Sequence, residues 1–222
     1  MPEPTIRPHH PSARELSVLV DAFGLDADGL ELDQVEVTGV SSASWRVEAG
    51  DLFVAMPGRA QHGAEHAEAA VERGAVAIVS DAEGAARIGD LGVPVLVVDE
   101  PRLALGHLAE WIYRTDGDDS RLIGVTGTRG KTSVVRLVDA LLRALGDGTA
   151  ISTSIERRVG DELVPAGLTS PEADQLHAMV ARMRELGVRV GSIEVTAHGI
   201  AEHRLAGLEL DVVGMSGFDP ER

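Results

Sequence analysis

The sequence predicts an α/β fold in two successive units, and three observations carry that reading. Short apolar runs alternate with helix-like segments from end to end, the runs are continuously apolar rather than two-sided, and one polar, turn-rich stretch (115–120, TDGDDS) interrupts the alternation near the middle. Continuously apolar strands between helices belong to parallel or mixed sheets covered on both faces.

Taken in order, Ser12 is placed to cap a helix running to Gly24, with Leu16, Leu19, Val20 and Phe23 on one face. Residues 35–40 and 52–56 read as strands. An alanine-rich helix over 63–73 is stopped by Gly74, and a buried strand follows over 75–80. A short helix (82–90), a second buried strand (94–98) and a longer helix (101–114) with Leu105, Leu108, Trp111 and Ile112 complete the first half. Beyond the linker come a strand (122–126), a glycine-rich turn, a helix (131–145) and a strand (149–152). Residues 155–164 form a hairpin turning at Gly160-Asp161. Pro171 opens a helix to Leu186, a proline being suited to a first turn. A buried strand (190–196), a short helix and a last strand from Asp211 to Met215 follow. The domains are accordingly drawn at 1–116 and 120–222.

Composition narrows the functions. The 222 residues carry a net charge of −16, which argues against a broad nucleic-acid face, because such a face needs clustered positive charge. A small phosphate pocket stays open, since backbone amides and one or two cations suffice for it. The absence of cysteine removes thiolate metal sites and thiol nucleophiles. The first eleven residues (MPEPTIRPHHP) are polar, and apolar runs such as 93–98 are too short to span a bilayer, so a cytoplasmic protein without a membrane partner is expected.

The most informative stretch is Val125-Thr126-Gly127-Thr128-Arg129-Gly130-Lys131-Thr132, lying between a strand and a helix. That is the setting of a P-loop, in which glycines turn backbone N–H groups toward phosphate at a helix N-terminus. Lys131 is the single lysine among 20 basic residues, and it falls where a cation would reach the β- and γ-phosphates; the Thr132 hydroxyl would ligate Mg²⁺. The strict P-loop spacing is not met, because its first glycine would fall at Val125. Gly127, Thr128, Gly130, Lys131 and Thr132 are the candidate ATP contacts.

These residues resemble the TGT-x-GK-[ST] motif of the Mur ligases, and the resemblance covers nearly the whole chain. Gly50-Asp51-Leu52-Phe53-Val54-Ala55, His62-Gly63 and Gly74-Ala75-Val76-Ala77 are similar to the N-terminal UDP-binding domain of the MurE branch. Thr169-Ser170-Pro171-Glu172-Ala173 is similar to its TTPEA segment, and Glu194-Val195-Thr196-Ala197-His198 with His203-Arg204-Leu205-Ala206-Gly207 to its EVSSH and HR-x-x-G. The resemblance implies a Mur-type UDP-binding α/β domain followed by a partial P-loop α/β central domain. It implies an ATP-dependent carboxylate–amine ligase that extends UDP-MurNAc-dipeptide in peptidoglycan synthesis, by phosphorylating a carboxylate that an amine then attacks. Lys131 and Glu194 would be the catalytic pair, with Thr132 and Glu194 serving Mg²⁺. Ser44, Thr169, Ser170, Thr196 and Arg204 would contact the UDP-MurNAc-peptide or a related UDP-sugar. His62, His198 and His203 rank below these, since histidines beside glycine turns are more often structural.

Three departures qualify the implied function. Ala43-Ser44-Trp45 stands where the family shows Asp-Ser-Arg, and Thr196-Ala197 where it has two serines. Residues 216–222 (SGFDPER) replace T-N-L-x-x-D-H-L-D, putting Gly217 at the asparagine and Arg222 at the histidine. Beyond that point the family supplies a carbamylated lysine and a C-terminal domain. The expectation is therefore a chain incomplete for ligation, whose unfinished sheet needs cover from a homodimer or a partner subunit. A non-catalytic or regulatory homologue, or a paralogue with another substrate, is the alternative reading.

Overall fold

The computed structural model describes residues 4–27, 30–32, 34–58 and 60–217. Contacts divide them into two units. The first is residues 11–113; the second is 114–217 together with 4–10.

In the first unit a parallel sheet runs in the order β3 (Gly39–Ser41), β4 (Asp51–Ala55), β5 (Ala77–Ser80), β6 (Val95–Val97). Every residue of β4 and β5 is buried, as expected of strands covered on both faces. The crossovers are α2 (Ala67–Glu72), entered through a 3₁₀ turn at Gly63–His66, and α3 (Ala82–Ile88). Phe53, Ile78, Ala67 and Ala70 join Val47 in one core cluster. A two-stranded ribbon of β1 (Arg14–Glu15) and β2 (Glu36–Val37) flanks α1 (Leu16–Phe23), and α4 (Pro101–Tyr113) closes the unit.

The second unit holds one six-stranded mixed sheet. It contains β7 (Arg121–Thr126), β8 (Thr149–Ser152), β9 (Glu156–Val159), β10 (Glu162–Pro165), β11 (Val190–Glu194) and β12 (Val212–Met215), in the order β10-β9-β8-β11-β7-β12. β8, β11, β7 and β12 are parallel, so their C-terminal ends lie together along one rim. β9 and β10 form an antiparallel hairpin, turned at Gly160-Asp161 as expected. α5 (Lys131–Ala144) covers one face over Val125, Val135 and Ile151. α6 (Ala173–Glu185) covers the other over Ala150, Val159 and Ile193, and α7 (Ala197–Ala201) follows β11. Leu137 and Leu141 on α5 and Leu145 just past its end, with Val212, Val213 and Met215 on the edge strand β12, remain exposed.

Two helix starts differ from the sequence expectation. Ser12 caps nothing: Arg14 and Glu15 pair with Val37 and Glu36, so α1 begins only at Leu16. Arg14 is held in that extended pairing by Trp111, whose ring lies 3.4 Å from its guanidinium carbon and whose carbonyl accepts its Nη1 at 2.5 Å. Pro171 likewise stays outside α6, which starts at Ala173 behind an extended Glu172. Contacts made by Ser170 and Glu172 elsewhere hold this segment open.

Residues 4–10, placed in the first domain by the sequence, pack with the second unit instead. Ile6 is only 3% exposed in the α6-side core, and the backbone N–H groups of His9 and His10 donate to the Glu185 carboxylate at 2.9 and 2.6 Å. Burial alone would raise the Glu185 pKa, but these bonds and the Arg182 guanidinium hold it down to about 2, from 4.5. The depressed carboxylate contributes stability that is complete above its unfolded pKa of 4.5 and is lost as pH falls through about 2. The His9 and His10 amide resonances should therefore titrate together near pH 2 by NMR, and Glu185→Gln should erase that step. A titration centred near 4.5 would contradict the attachment.

Candidate nucleotide and substrate site

Open parallel sheets bind ligands at strand C-termini, and the rim formed by the ends of β7, β8 and β11 gathers the candidate residues. β7 ends at Thr126, and α5 starts five residues later at Lys131. The loop between can turn because Gly127 and Gly130 take φ of 131° and 85°. Lys131 Nζ folds back over the loop and donates to Gly127 O at 2.8 Å. The loop is gripped from the end of β12: the single Ser216 Oγ proton is shared between Arg129 O at 2.7 Å and Thr126 O at 3.0 Å, and Thr128 N donates to Gly217 O at 2.9 Å. Residues 218–222, including the expected replacement at Arg222, lie outside the described residues.

Thr132 and Glu194 meet through a residue the sequence did not single out. Thr132 Oγ1 lies 3.2 Å from Ser154 Oγ, and Ser154 N donates to Glu194 Oε1 at 3.0 Å. Glu194, 3% exposed, ends β11 on the α5 side of the sheet. The available signal for Ser154 was its place just past the end of β8, the strand next to β11.

A second cluster lies around Ser170, which is 2% exposed. Its hydroxyl donates to Glu194 O at 3.2 Å, accepts from Thr196 N at 3.1 Å and lies 3.0 Å from Thr196 Oγ1. Thr196 Oγ1 also accepts from Gly199 N at 2.9 Å, capping α7. Arg204 reaches back to the same point: Nη1 donates to Ser170 O at 2.9 Å and Nη2 sits 3.1 Å from Glu172 Oε1. Its buried Nε has no hydrogen-bond partner, which leaves one charged donor for an incoming acceptor. Thr169 is half-buried beside Ser170. Glu172 was legible within the TSPEA stretch but not as the partner of Arg204.

Ser44 lies in the first unit, buried in the 3₁₀ turn Ser44–Arg46. His62 is structural: its Nδ1 accepts from Ala64 N at 3.0 Å, so Nε2 carries the proton toward Asp81 at 3.2 Å. His198 and His203 are exposed.

Gly127 packs directly against residues 216–217, so no side chain could stand at this point of the loop. The oxygens offered along this rim are hard ones, Thr132 Oγ1 and the Glu194 carboxylate. Among the described residues no three His, Asp or Glu side chains group together. Such a pair suits Mg²⁺, which keeps waters and phosphate oxygens among its ligands instead of taking an all-protein cage.

Comparison with known proteins bears on the family and the fold. Residues 36–113 match the family profile described as the Mur ligase family catalytic domain, and residues 125–220 match the Mur ligase middle domain, together well over half of the chain. The chain belongs to the Mur ligase family. Among curated relatives of this Mur ligase chain, a UDP-N-acetylmuramyl-tripeptide synthetase of Leifsonia xyli is 50% identical over 213 residues, covering 96% of this chain and 41% of the relative. A UDP-N-acetylmuramoyl-L-alanyl-D-glutamate–2,6-diaminopimelate ligase of Streptomyces avermitilis is 41% identical, covering 97% and 42%. Solved structures share the fold. A 2,6-diaminopimelate ligase of the same name superposes with TM-score 0.72 at 24% identity, covering 96% of this chain and 42% of that one. MurF from Thermotoga maritima in complex with ADP superposes with TM-score 0.58 at 20% identity, covering 81% and 37%. The chain thus spans about two fifths of the length of the curated relatives it matches. No helix among the described residues is long and apolar enough to cross a membrane.

Proposed function

We propose that this Mur ligase chain serves the ATP-dependent joining of an amine to a carboxylate of UDP-MurNAc-dipeptide, in cytoplasmic peptidoglycan synthesis of the MurE type. The observation that carries the reading is the line Lys131, Thr132, Ser154, Glu194 across the ends of β7, β8 and β11. In this reading the first unit, with Ser44, takes the UDP end of the substrate, and the second takes ATP. Gly127 and Gly130 offer backbone amides to the phosphates, Thr128 does so on releasing Gly217 O, and Lys131 neutralises developing charge. Thr132 and Glu194 would hold Mg²⁺, which supplies charge neutralisation on the transferred phosphoryl group. Thr169, Ser170 and Thr196 orient the muramoyl peptide, and the Arg204 guanidinium holds an anionic oxygen of that substrate. The exposed leucines of α5 and the β12 edge would be covered by a second copy or a partner subunit.

A thermal-shift panel tests the substrate reading. UDP-MurNAc-L-Ala-D-Glu at about 100 times its Kd should stabilise the fold by roughly 2.7 kcal/mol through linkage and raise the Tm accordingly. UDP-GlcNAc should do less. No shift at millimolar ligand would overturn the substrate assignment. Binding of both this ligand and Mg-ATP without turnover would favour the non-catalytic alternative.

A further inference from the structure

Among the described residues, His177 is the one buried imidazole of the second unit that the nucleotide and substrate readings leave unused. It sits in the middle of α6 and is fully buried. Its ring joins two distant stretches: Nε2 lies 2.9 Å from Ala206 O and Nδ1 lies 2.6 Å from Thr115 Oγ1. A carbonyl only accepts, so Nε2 carries the proton, and in the neutral ring Nδ1 accepts from the Thr115 hydroxyl. The Ala206 carbonyl thereby fixes the tautomer, and the Thr115 hydroxyl completes it at Nδ1.

Ala206 stands two residues after Arg204, in a turn that needs holding. His203 enters the left-handed region at φ 53°, Arg204 N donates to Gly199 O at 2.9 Å, and Ala206 N donates to His203 O at 3.0 Å. The Arg204 side chain then runs back to Ser170 O and Glu172. The backbone of this turn sets where the guanidinium starts, and His177 is the buried side chain that ties that backbone to α6.

We propose that His177 is a positioning residue for the substrate site: its Nε2–H anchors the 203–207 turn through Ala206 O and so places the Arg204 guanidinium beside Ser170, with the Thr115 hydroxyl steadying the ring at Nδ1. The proposal rests on the reading of Arg204 as a substrate contact. It makes no claim on the phosphate loop, and that separation is what the experiment uses.

The test compares wild type with His177→Leu, His177→Gln and Thr115→Val, each titrated by calorimetry with UDP-MurNAc-L-Ala-D-Glu and with Mg-ATP. Amide exchange is followed over 203–208. His177→Leu should weaken the UDP-muramoyl dipeptide about tenfold, the worth of one buried hydrogen bond, and speed exchange over the turn, with Mg-ATP affinity unchanged. His177→Gln, whose amide N–H can reach Ala206 O, should recover most of the loss, and Thr115→Val should show a smaller loss of the same kind. Unchanged affinity and exchange in His177→Leu would overturn the proposal, as would equal loss of both ligands in His177→Gln. Should His177→Leu fail to fold, the glutamine and Thr115 variants decide by the same criteria. A wild-type protein that does not bind the dipeptide refutes the substrate reading and the placement of Arg204 for it. Exchange over the turn then decides whether His177 anchors it.

Discussion

Replacing Lys131 with alanine is expected to weaken Mg-ATP binding by about 100-fold or more while leaving the fold intact. The estimate follows from losing a cation that makes charge-assisted contacts to phosphate, worth about 3 kcal/mol together. Lys131 is the single lysine of the chain, and its ammonium already lies over the loop, donating to Gly127 O at 2.8 Å. The side chain is only half-buried and makes no other hydrogen bond found among the described residues, so truncation removes little from the core. Calorimetric titration with Mg-ATP is the measurement, with UDP-MurNAc-dipeptide as the control ligand whose affinity should hold. An unchanged Mg-ATP isotherm would remove the loop from the nucleotide site.

Gly127→Val should cost about 2–4 kcal/mol of stability and abolish nucleotide binding as well. A Cβ at Gly127 would stand 2.6 Å from Ser216 Oγ, 2.8 Å from Gly217 O and 3.0 Å from Gly217 N, at a backbone φ of +131°. Backbone atoms cannot swing aside as a flexible side chain would. Gly130→Ala supplies the contrast. Its φ of +85° is also unfavourable, but its Cβ would meet nothing nearer than 3.6 Å, so a loss of only about 1–2 kcal/mol is expected. Urea denaturation followed by far-UV circular dichroism ranks the two variants. Equal losses would mean that conformation alone, and not the close approach of residues 216–217, makes glycine necessary at 127.

The parts of this fold legible in the sequence are those governed by local chemistry. β8 spans Thr149–Ser152 as read, and the β9–β10 hairpin turns at Gly160-Asp161, because strand pattern and turn residues there act on their immediate neighbours. The start of α1 was misplaced because Arg14 is drawn into a ribbon with Val37 and onto Trp111, partners far away in sequence. Pro171 failed to open α6 for a similar reason: Ser170 is bonded to Thr196 and to Arg204, which keeps 170–172 extended. The site divides in the same way. The glycine-rich loop is contiguous and its strand–turn–helix setting is legible in the sequence, whereas Ser154, Glu172 and Ser216 act only as links between segments. A serine joining Thr132 to Glu194 has no local signature, since its importance lies in the adjacency of β8 and β11.

The grip of β12 on the loop makes it an internal competitor of any phosphate bound there. Thr128 N–H already has an acceptor in Gly217 O, and Arg129 O already has a donor in Ser216 Oγ. An anion that recruits the Thr128 amide must displace the Gly217 carbonyl, so occupancy of the loop and order at residues 216–217 oppose each other. Linkage makes this antagonism mutual: whatever draws Gly217 aside tightens the hold on phosphate by the same free energy with which phosphate drives Gly217 away.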